Sequence, residues 1–270
     1  MISVGLVLMI VALSFKVSAA PFHFWTPDVY DGAPTAFTSF MATIVKVAGF
    51  VAFIKLFRTS YVTAHLQWQP LIVIIAAATL FIGNFTAVFQ QSVKRMLAYS
   101  SIAQAGFMML ALFALNNTAN EGLLLYSAAY CLASIGLFAI VIKMNDFTIE
   151  GFNGLGDHQP VLAFAATIFL LSLTGIPLTA GFTSKFYMLL AALKTGQQAW
   201  LVIFAVLCAA VSAYYYFRVI QAMYFKTAIT SNSTLTAPVS QSFKVLLLIT
   251  AGIIILLGFM PGLLIDWLYY

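Results

Sequence analysis

An all-α, polytopic transmembrane helical bundle is the fold class that this sequence predicts, and three observations predict it. Of 270 residues, 63% are hydrophobic and only 7% are charged, against about 25% charge in an ordinary soluble domain. The mean hydropathy is +1.03. Eight apolar stretches, at 2–20, 36–58, 69–90, 95–115, 121–142, 160–191, 199–225 and 243–264, match the roughly 20 residues that a helix needs to cross a hydrocarbon core of about 30 Å. No stretch is left over for a soluble domain.

The first stretch begins at Met1 without a basic leader or a small-residue cleavage site, and it carries Lys16. It reads as a span rather than a signal peptide. It also runs into Pro21, which lacks an amide hydrogen and clashes with the turn before it, so the helix should break or kink there. The sixth stretch carries Gly175, Pro177 and Gly181 within seven residues and is too long for one straight crossing. Backbone groups freed at membrane depth are tolerated only where protein or water satisfies them. Each break therefore marks a candidate site, although prolines also merely kink membrane helices. Paired broken helices point to the inverted repeats of transporters.

Cys131 and Cys208 both fall within spans and read as small apolar packing, with no disulfide or metal site implied. The net charge of +5 is scattered rather than clustered, which argues against nucleic acid as a partner and for topology signals. Alternating connections put Lys94, Arg95, Lys143, Arg218, Lys226 and Lys244 on one face and Lys55, Arg58 and Lys194 on the other. By the positive-inside rule the first face is cytoplasmic. The polar run 227–242 reads as a cytoplasmic loop without visible chemistry. Tyr214, Tyr215 and Tyr216, and the segment from Trp267 to Tyr270, read as interfacial anchors.

All seven acids, Asp28, Asp31, Glu121, Asp146, Glu150, Asp157 and Asp266, fall in loops or at helix ends. Three lysines remain within spans: Lys16, Lys46 and Lys185. A lysine at the bilayer centre costs about 2.5–3.5 kcal/mol on insertion scales and by default marks an ion or proton pathway. Snorkelling competes for Lys16 and Lys185, whereas Lys46 has about ten residues on either side and little prospect of reaching a surface. A buried amine can load and release a proton when a charge approaches or recedes, and the chain offers no mid-membrane acid for that role. His23, seven residues from Lys16, reads either as a proton relay or as a hydrogen-bonded anchor. No phosphate-binding glycine loop, CxxC pair or metal cluster is visible, so redox chemistry is expected elsewhere.

The stretch Pro21-Phe22-His23-Phe24-Trp25-Thr26-Pro27-Asp28-Val29-Tyr30-Asp31-Gly32-Ala33-Pro34 closely resembles the signature of the subunit N family of respiratory NADH:quinone oxidoreductase (complex I). Val29-Tyr30 separates it from sister subunits, which tend to carry Ala-His. Lys94-Arg95-Met96-Leu97-Ala98-Tyr99-Ser100-Ser101-Ile102 and the broken sixth stretch with Gly175-Ile176-Pro177 and Gly181 to Tyr187 are similar to further family blocks, in the family's order. The resemblance, which extends to subunits of multi-component sodium/proton antiporters, implies two inverted five-helix repeats. Residues 1–58 would end the first repeat, 69–226 would form the second, and 243–264 would be an extra C-terminal helix. It implies that Lys16, Lys46 and Lys185 handle protons during NADH:quinone electron transfer. The partners implied are the other antiporter-like and small membrane subunits of complex I, with the lipid bilayer. No cofactor is expected in this chain; NADH, FMN, iron–sulfur clusters and quinone belong to other subunits. The implied location is a bacterial plasma membrane, or alternatively an organelle's energy-transducing membrane. Family members carry about six helices before the position of Met1, one with a glutamate that pairs with the lysine at the position of Lys16, so the chain is expected to be a fragment. Two competing expectations are a sodium/proton antiporter subunit and a structural assembly subunit.

Overall fold

The computed structural model describes residues 2–227 and 239–269. It is built from α-helices, and among the described residues no strand is present, only isolated bridge residues such as the antiparallel pair Ser92 and Thr148. The helices are α1 (Ile2–Lys16), α2 (Trp25–Gly32), α3 (Thr35–Phe40), α4 (Lys46–Thr59), α5 (His65–Val88), α6 (Val93–Ala114), α7 (Asn117–Val141), α8 (Leu155–His158), α9 (Pro160–Thr174), α10 (Ala180–Leu193), α11 (Ala199–Phe225), α12 (Gln241–Phe259) and α13 (Gly262–Ile265). A π-helical turn, Met41–Val45, joins α3 to α4 into one continuous rod over Thr35–Thr59.

Six rods are long and apolar enough to cross a membrane: Thr35–Thr59, Val62–Val88, Val93–Ala114, Asn117–Val141, Ala199–Phe225 and Gln241–Phe259. The two remaining apolar stretches are the ones expected to break. The first becomes α1 followed by non-helical backbone over 17–24, and the sixth becomes α9 and α10 separated by 175–179. The loop 227–242 lies outside the described residues over 228–238.

Local sequence explains where the rods begin. Ser92, Asn116 and Ser240 are N-caps whose side-chain oxygens accept from the amides of Arg95, Ala119 and Phe243, at 3.3, 2.9 and 3.3 Å. Pro160 opens α9 at the first turn, where its missing N–H leaves no carbonyl without a partner.

α6 is the axle of the bundle. Some 94% of its apolar window is buried, and α2, α4, α5, α7, α10 and α11 all pack against it. Its closest partner is α5, and the approach is set by two reciprocal glycines. A Cβ on Gly83 would lie 2.8 Å from the Ala103 Cα, and one on Gly106 would lie 2.9 Å from the Leu80 backbone nitrogen. Small residues that let backbones touch are how helices associate where lipid supplies no hydrophobic drive. At the periphery the opposite holds. α12 has the highest hydropathy of the six rods and only 22% of its window buried, with Leu246, Ile249 and Leu256 facing outward. Such a surface suits hydrocarbon, not water.

The two ends of the bundle sort the charges as alternation requires. At one end the loop before α6 bonds to the loop after α7, with Val93 N donating to Phe147 O (2.7 Å) and Ile149 N to Gln91 O (2.9 Å). There Lys94, 4% exposed, donates through Nζ to the carbonyls of Asp31 (2.8 Å) and Ala33 (2.6 Å) and lies over the Phe147 ring. Arg95 pairs with Asp28 at 2.9 Å, and Arg218 donates to Val88 O and Gln91 Oε1. At the other end Lys194 Nζ donates to Thr118 Oγ1 (2.7 Å), and Tyr269 OH to Glu121.

One sequence expectation is corrected. Tyr215 and Tyr216 are not interfacial anchors: they are 1% and 0% exposed. Tyr214, on the outward face of α11, is exposed, as are Trp267 and Tyr269. Successive residues of a helix point about 100° apart, so a run of three tyrosines cannot share one environment. Cys131 and Cys208 are both free, Cys208 buried and Cys131 partly so.

Two stability predictions follow from these contacts. Gly83→Val overpacks the α5–α6 crossing and should destabilise the bundle by about 1–3 kcal/mol, read as a fall in the thermal unfolding temperature in detergent micelles. Lys94→Ala should cost about 1–3 kcal/mol, because two part-buried carbonyls lose a charged donor, whereas Arg95→Ala, which breaks a half-exposed ion pair, should cost less than about 1 kcal/mol. Equal losses from the two would contradict this assignment.

Candidate functional site

The second break ends α9 in a Schellman motif. Gly175 takes the left-handed conformation (φ 87°), its amide donates to Leu171 O and Ser172 O, and the Ile176 amide donates to Leu171 O. Glycine is required there twice over, since a Cβ would also lie 2.9 Å from Lys185 Cδ. The motif leaves the carbonyls of Leu173 and Thr174 facing the interior. Lys185 of α10, 6% exposed, fills that position, its Nζ donating to Leu173 O (2.8 Å) and Thr174 O (2.9 Å). The ammonium thus sits at the negative pole of α9, the favourable end for a cation. Its Nζ lies 4.6 Å from the centroid of the Phe107 ring, within reach of a cation–π contact. α10 comes this close because Gly181 packs on the Ser172 carbonyl and its amide donates to Ser172 Oγ (3.2 Å).

Lys46 is the first residue after the π turn and is 1% exposed. Its Nζ donates to both the carbonyl and the hydroxyl of Ser101 on α6, each at 2.8 Å. Tyr130 of α7 donates to Ala42 O within the π turn (2.9 Å). π turns are a frequent signature of functional sites.

The two lysines meet the same stretch of α6. Gln104, one turn beyond Ser101, donates to Leu173 O (3.0 Å), the oxygen that Lys185 also uses, and to Tyr216 OH (3.2 Å). Gln104 Oε1 accepts from Tyr126 OH, and Ser100 pairs with Tyr216 OH. Tyr215 OH carries the network on to Asn84 Oδ1 of α5 (3.2 Å). A cavity of about 10 Å³ lined by Gln104, Tyr126, Tyr130, Ser172 and Lys185 lies at this junction, room for about one water. Among the described residues no acid bonds to either lysine; neutral oxygens hold both.

The first break is placed differently. Its backbone is buried over 17–20, and Ala20 N donates to Thr79 Oγ1 of α5 (2.9 Å). Lys16, at the end of α1, is exposed. A Cβ on Gly49, three residues beyond Lys46 on α4, would lie 3.6 Å from Lys16 Cγ. His23 is buried, its ring beside Phe24, and its Nδ1 has no partner among the described residues. The non-helical backbone removes the two-turn spacing between Lys16 and His23 that a continuous helix would have given. The hydroxyls of Ser14, Ser18 and Thr26 around the same break are likewise buried without a partner.

Sequence reasoning passed over Ser101, Gln104, Tyr126 and Tyr130, and took Tyr216 for an interfacial anchor. A signal was present for two of them: Ser101 and Gln104, with Ser100, put polar groups in an otherwise apolar span at the i, i+3 and i, i+4 spacings. The tyrosines are distinguishable only by their neighbours on other helices.

A family model described as NADH:quinone oxidoreductase/Mrp antiporter, transmembrane, matches residues 1–212. The chain is 40% identical over 274 residues to NADH-quinone oxidoreductase subunit N of Trichlorobacter lovleyi, covering 99% of this chain and 55% of that protein. It is 42% identical over 270 residues to subunit N 1 of Thermodesulfovibrio yellowstonii, covering 98% and 57%. The chain therefore spans about half the length of the curated relatives it matches. Among solved structures it superposes on a chain of the respiratory complex I of Thermus thermophilus with bound aureothin at a TM-score of 0.84 and 34% identity, over 98% of this chain and 58% of that one. A chain of the Mrp complex of a Dietzia species shares the fold at 0.82 and 18% identity, over 94% and 56%. With most of its length matched by the family model, the chain belongs to the NADH:quinone oxidoreductase/Mrp antiporter transmembrane family.

Proposed function

We propose that the chain is the proton-handling part of a subunit N of the proton-translocating NADH:quinone oxidoreductase, embedded in a bacterial plasma membrane beside the other membrane subunits of that complex. The observation that carries this reading is the pair of buried lysines, Lys46 and Lys185, held by neutral oxygens and linked to one stretch of α6 at Ser101 and Gln104. The relatives named NADH-quinone oxidoreductase subunit N favour this over the antiporter reading. In this proposal residues 1–58 end one inverted repeat, 69–226 form the next, 243–264 add a helix, and the end with six basic residues faces the cytoplasm.

The chemistry asked of the residues is modest. A buried amine bound to hydroxyl and carbonyl oxygens exists as ammonium or as free amine, and a charge brought near or withdrawn changes which form is favoured. Lys46 passes and receives protons on the Ser101 side, Lys185 on the Gln104 side. Tyr126, Tyr130 and Tyr216 supply hydroxyls that hold the connecting groups in place. Lys16, beside Gly49, is the proton-carrying group of the first break, and His23 relays between that break and the end that holds Asp28 and Arg95. Electron transfer from NADH to quinone, carried out in other subunits, supplies the energy that shifts the charges. The redox centres lie in those subunits, and this chain acts as part of a translocase without one of its own.

In the assembled complex in inverted membrane vesicles, Lys185→Ala and Lys46→Ala should each reduce NADH-driven acidification of the lumen to near background. A pH-sensitive dye reads this out. Lys185→Arg separates charge from proton exchange, since a guanidinium keeps its charge but does not release its proton; it should be as defective as alanine. Unchanged pumping in the alanine variants, or full pumping in Lys185→Arg, would remove the proton role from these lysines.

A further inference from the structure

A groove of about 390 Å³ opens between α4 and α7 at the end of the bundle that carries Lys55, Arg58 and Lys194. Its walls are Val47, Val51 and Ile54 from α4 and Leu123 and Leu124 from α7, and Leu268 closes one side. At its mouth stand Lys55 and Arg58, three residues apart and so on one face of α4. Both are exposed, and among the described residues neither side-chain cation has an acceptor. Asn120 is the other polar group at that level, and Ser127, two turns further in, marks the inner end. The nearest acid on α7, Glu121, does not line the groove and is engaged by Tyr269.

This arrangement has one chemical match. An apolar trough two turns deep needs a hydrocarbon occupant, and two cations at its mouth without an acid need an anion on the same molecule. We propose that the groove binds one anionic phospholipid of the leaflet at that end, its phosphate held by Lys55 and Arg58 and one acyl chain lying between α4 and α7. Arginine offers a planar fork that fits phosphate oxygens, Lys55 adds a point charge, and Asn120 supplies an amide donor for the headgroup. Basic sites between transmembrane helices are where anionic headgroups bind. A protein helix, from another polypeptide or from a further segment of this one, would have to bring an acid to the mouth and side chains to fill the trough, whereas a phosphatidylglycerol supplies both in one molecule. The inference rests on the membrane-spanning fold and not on the proton reading.

The test uses the complete membrane-embedded complex, reconstituted in vesicles of phosphatidylcholine and phosphatidylglycerol, with one or the other carrying a photoreactive acyl chain. Lipid adducts are mapped by mass spectrometry. Photoreactive phosphatidylglycerol should label residues of the α4–α7 groove several-fold more than photoreactive phosphatidylcholine. The preference should disappear in the double variant Lys55→Gln, Arg58→Gln, with NADH-driven pumping retained. Equal labelling by the two lipids, labelling unchanged in the double variant, or no labelling because protein covers the groove would each overturn the proposal. If the double variant fails to assemble, the comparison of the two lipids on the unmodified complex still decides it.

Discussion

A helix that stops inside an apolar interior leaves carbonyl oxygens that no water reaches, and the region around the end of α9 is arranged to give those oxygens donors. The Schellman turn satisfies Leu171 and Ser172. Leu173 and Thr174 remain, and unmet carbonyls at this depth each cost several kcal/mol. Lys185 and Gln104 meet them. The break and the lysine therefore need each other: carbonyls without a cation would be unsatisfied acceptors, and an ammonium without the carbonyls would be an unsolvated charge. Gly175 and Gly181 are the steric conditions for that exchange, one admitting the lysine stem and the other admitting α10 itself.

Lys46 solves the same problem from the opposite direction. Its helix is not cut, yet it departs from α geometry at the residue before the lysine, and the ammonium takes both a carbonyl and a hydroxyl from α6. α6 is thereby asked to be two things: a close-packed axle, with Gly106 against Leu80, and a polar spine, with Ser100, Ser101 and Gln104. Both demands are met along one rod because they fall on different faces, the glycine toward α5 and the polar residues toward α4, α9 and α11.

Much of this could be read from the chain alone, for identifiable reasons. The spans were legible because hydrocarbon thickness fixes their length, and the breaks because Pro21 and the Gly175–Gly181 cluster cannot continue a helix. Lys46 and Lys185 stood out as charges in the middle of apolar runs. The π turn at Met41–Val45 was not legible, because no Gly, Pro or charge marks it and the β-branched Thr43, Ile44 and Val45 are as common in regular membrane helices. Tyr216 was misread for a related reason: its partners, Ser100 and Gln104, lie more than a hundred residues away in the chain. Lys16 looked equivalent to the other two lysines in sequence; it stands at the end of α1 with its stem beside Gly49, and none of the hydrogen bonds that hold Lys46 and Lys185 reaches it.

The π turn also has a genetic meaning. It amounts to one residue inserted into the rod that runs from Thr35 to Thr59. Upstream of it, the Asp31 and Ala33 carbonyls are fastened to Lys94 on α6; downstream, Lys46 is fastened to Ser101 on the same helix. Two rivets on one rail fix the length and the rotation of everything between them. Because the wide turn absorbs the extra residue, deleting one residue from Met41–Val45 would leave an ordinary α turn with the two rivets near their present rotation, whereas a deletion from the regular helix on either side would turn one rivet by about 100° relative to the other. A one-residue deletion is therefore harsher in the regular helix around Met41–Val45 than within it, and the π turn is the place in this rod where the number of residues is free to change by one.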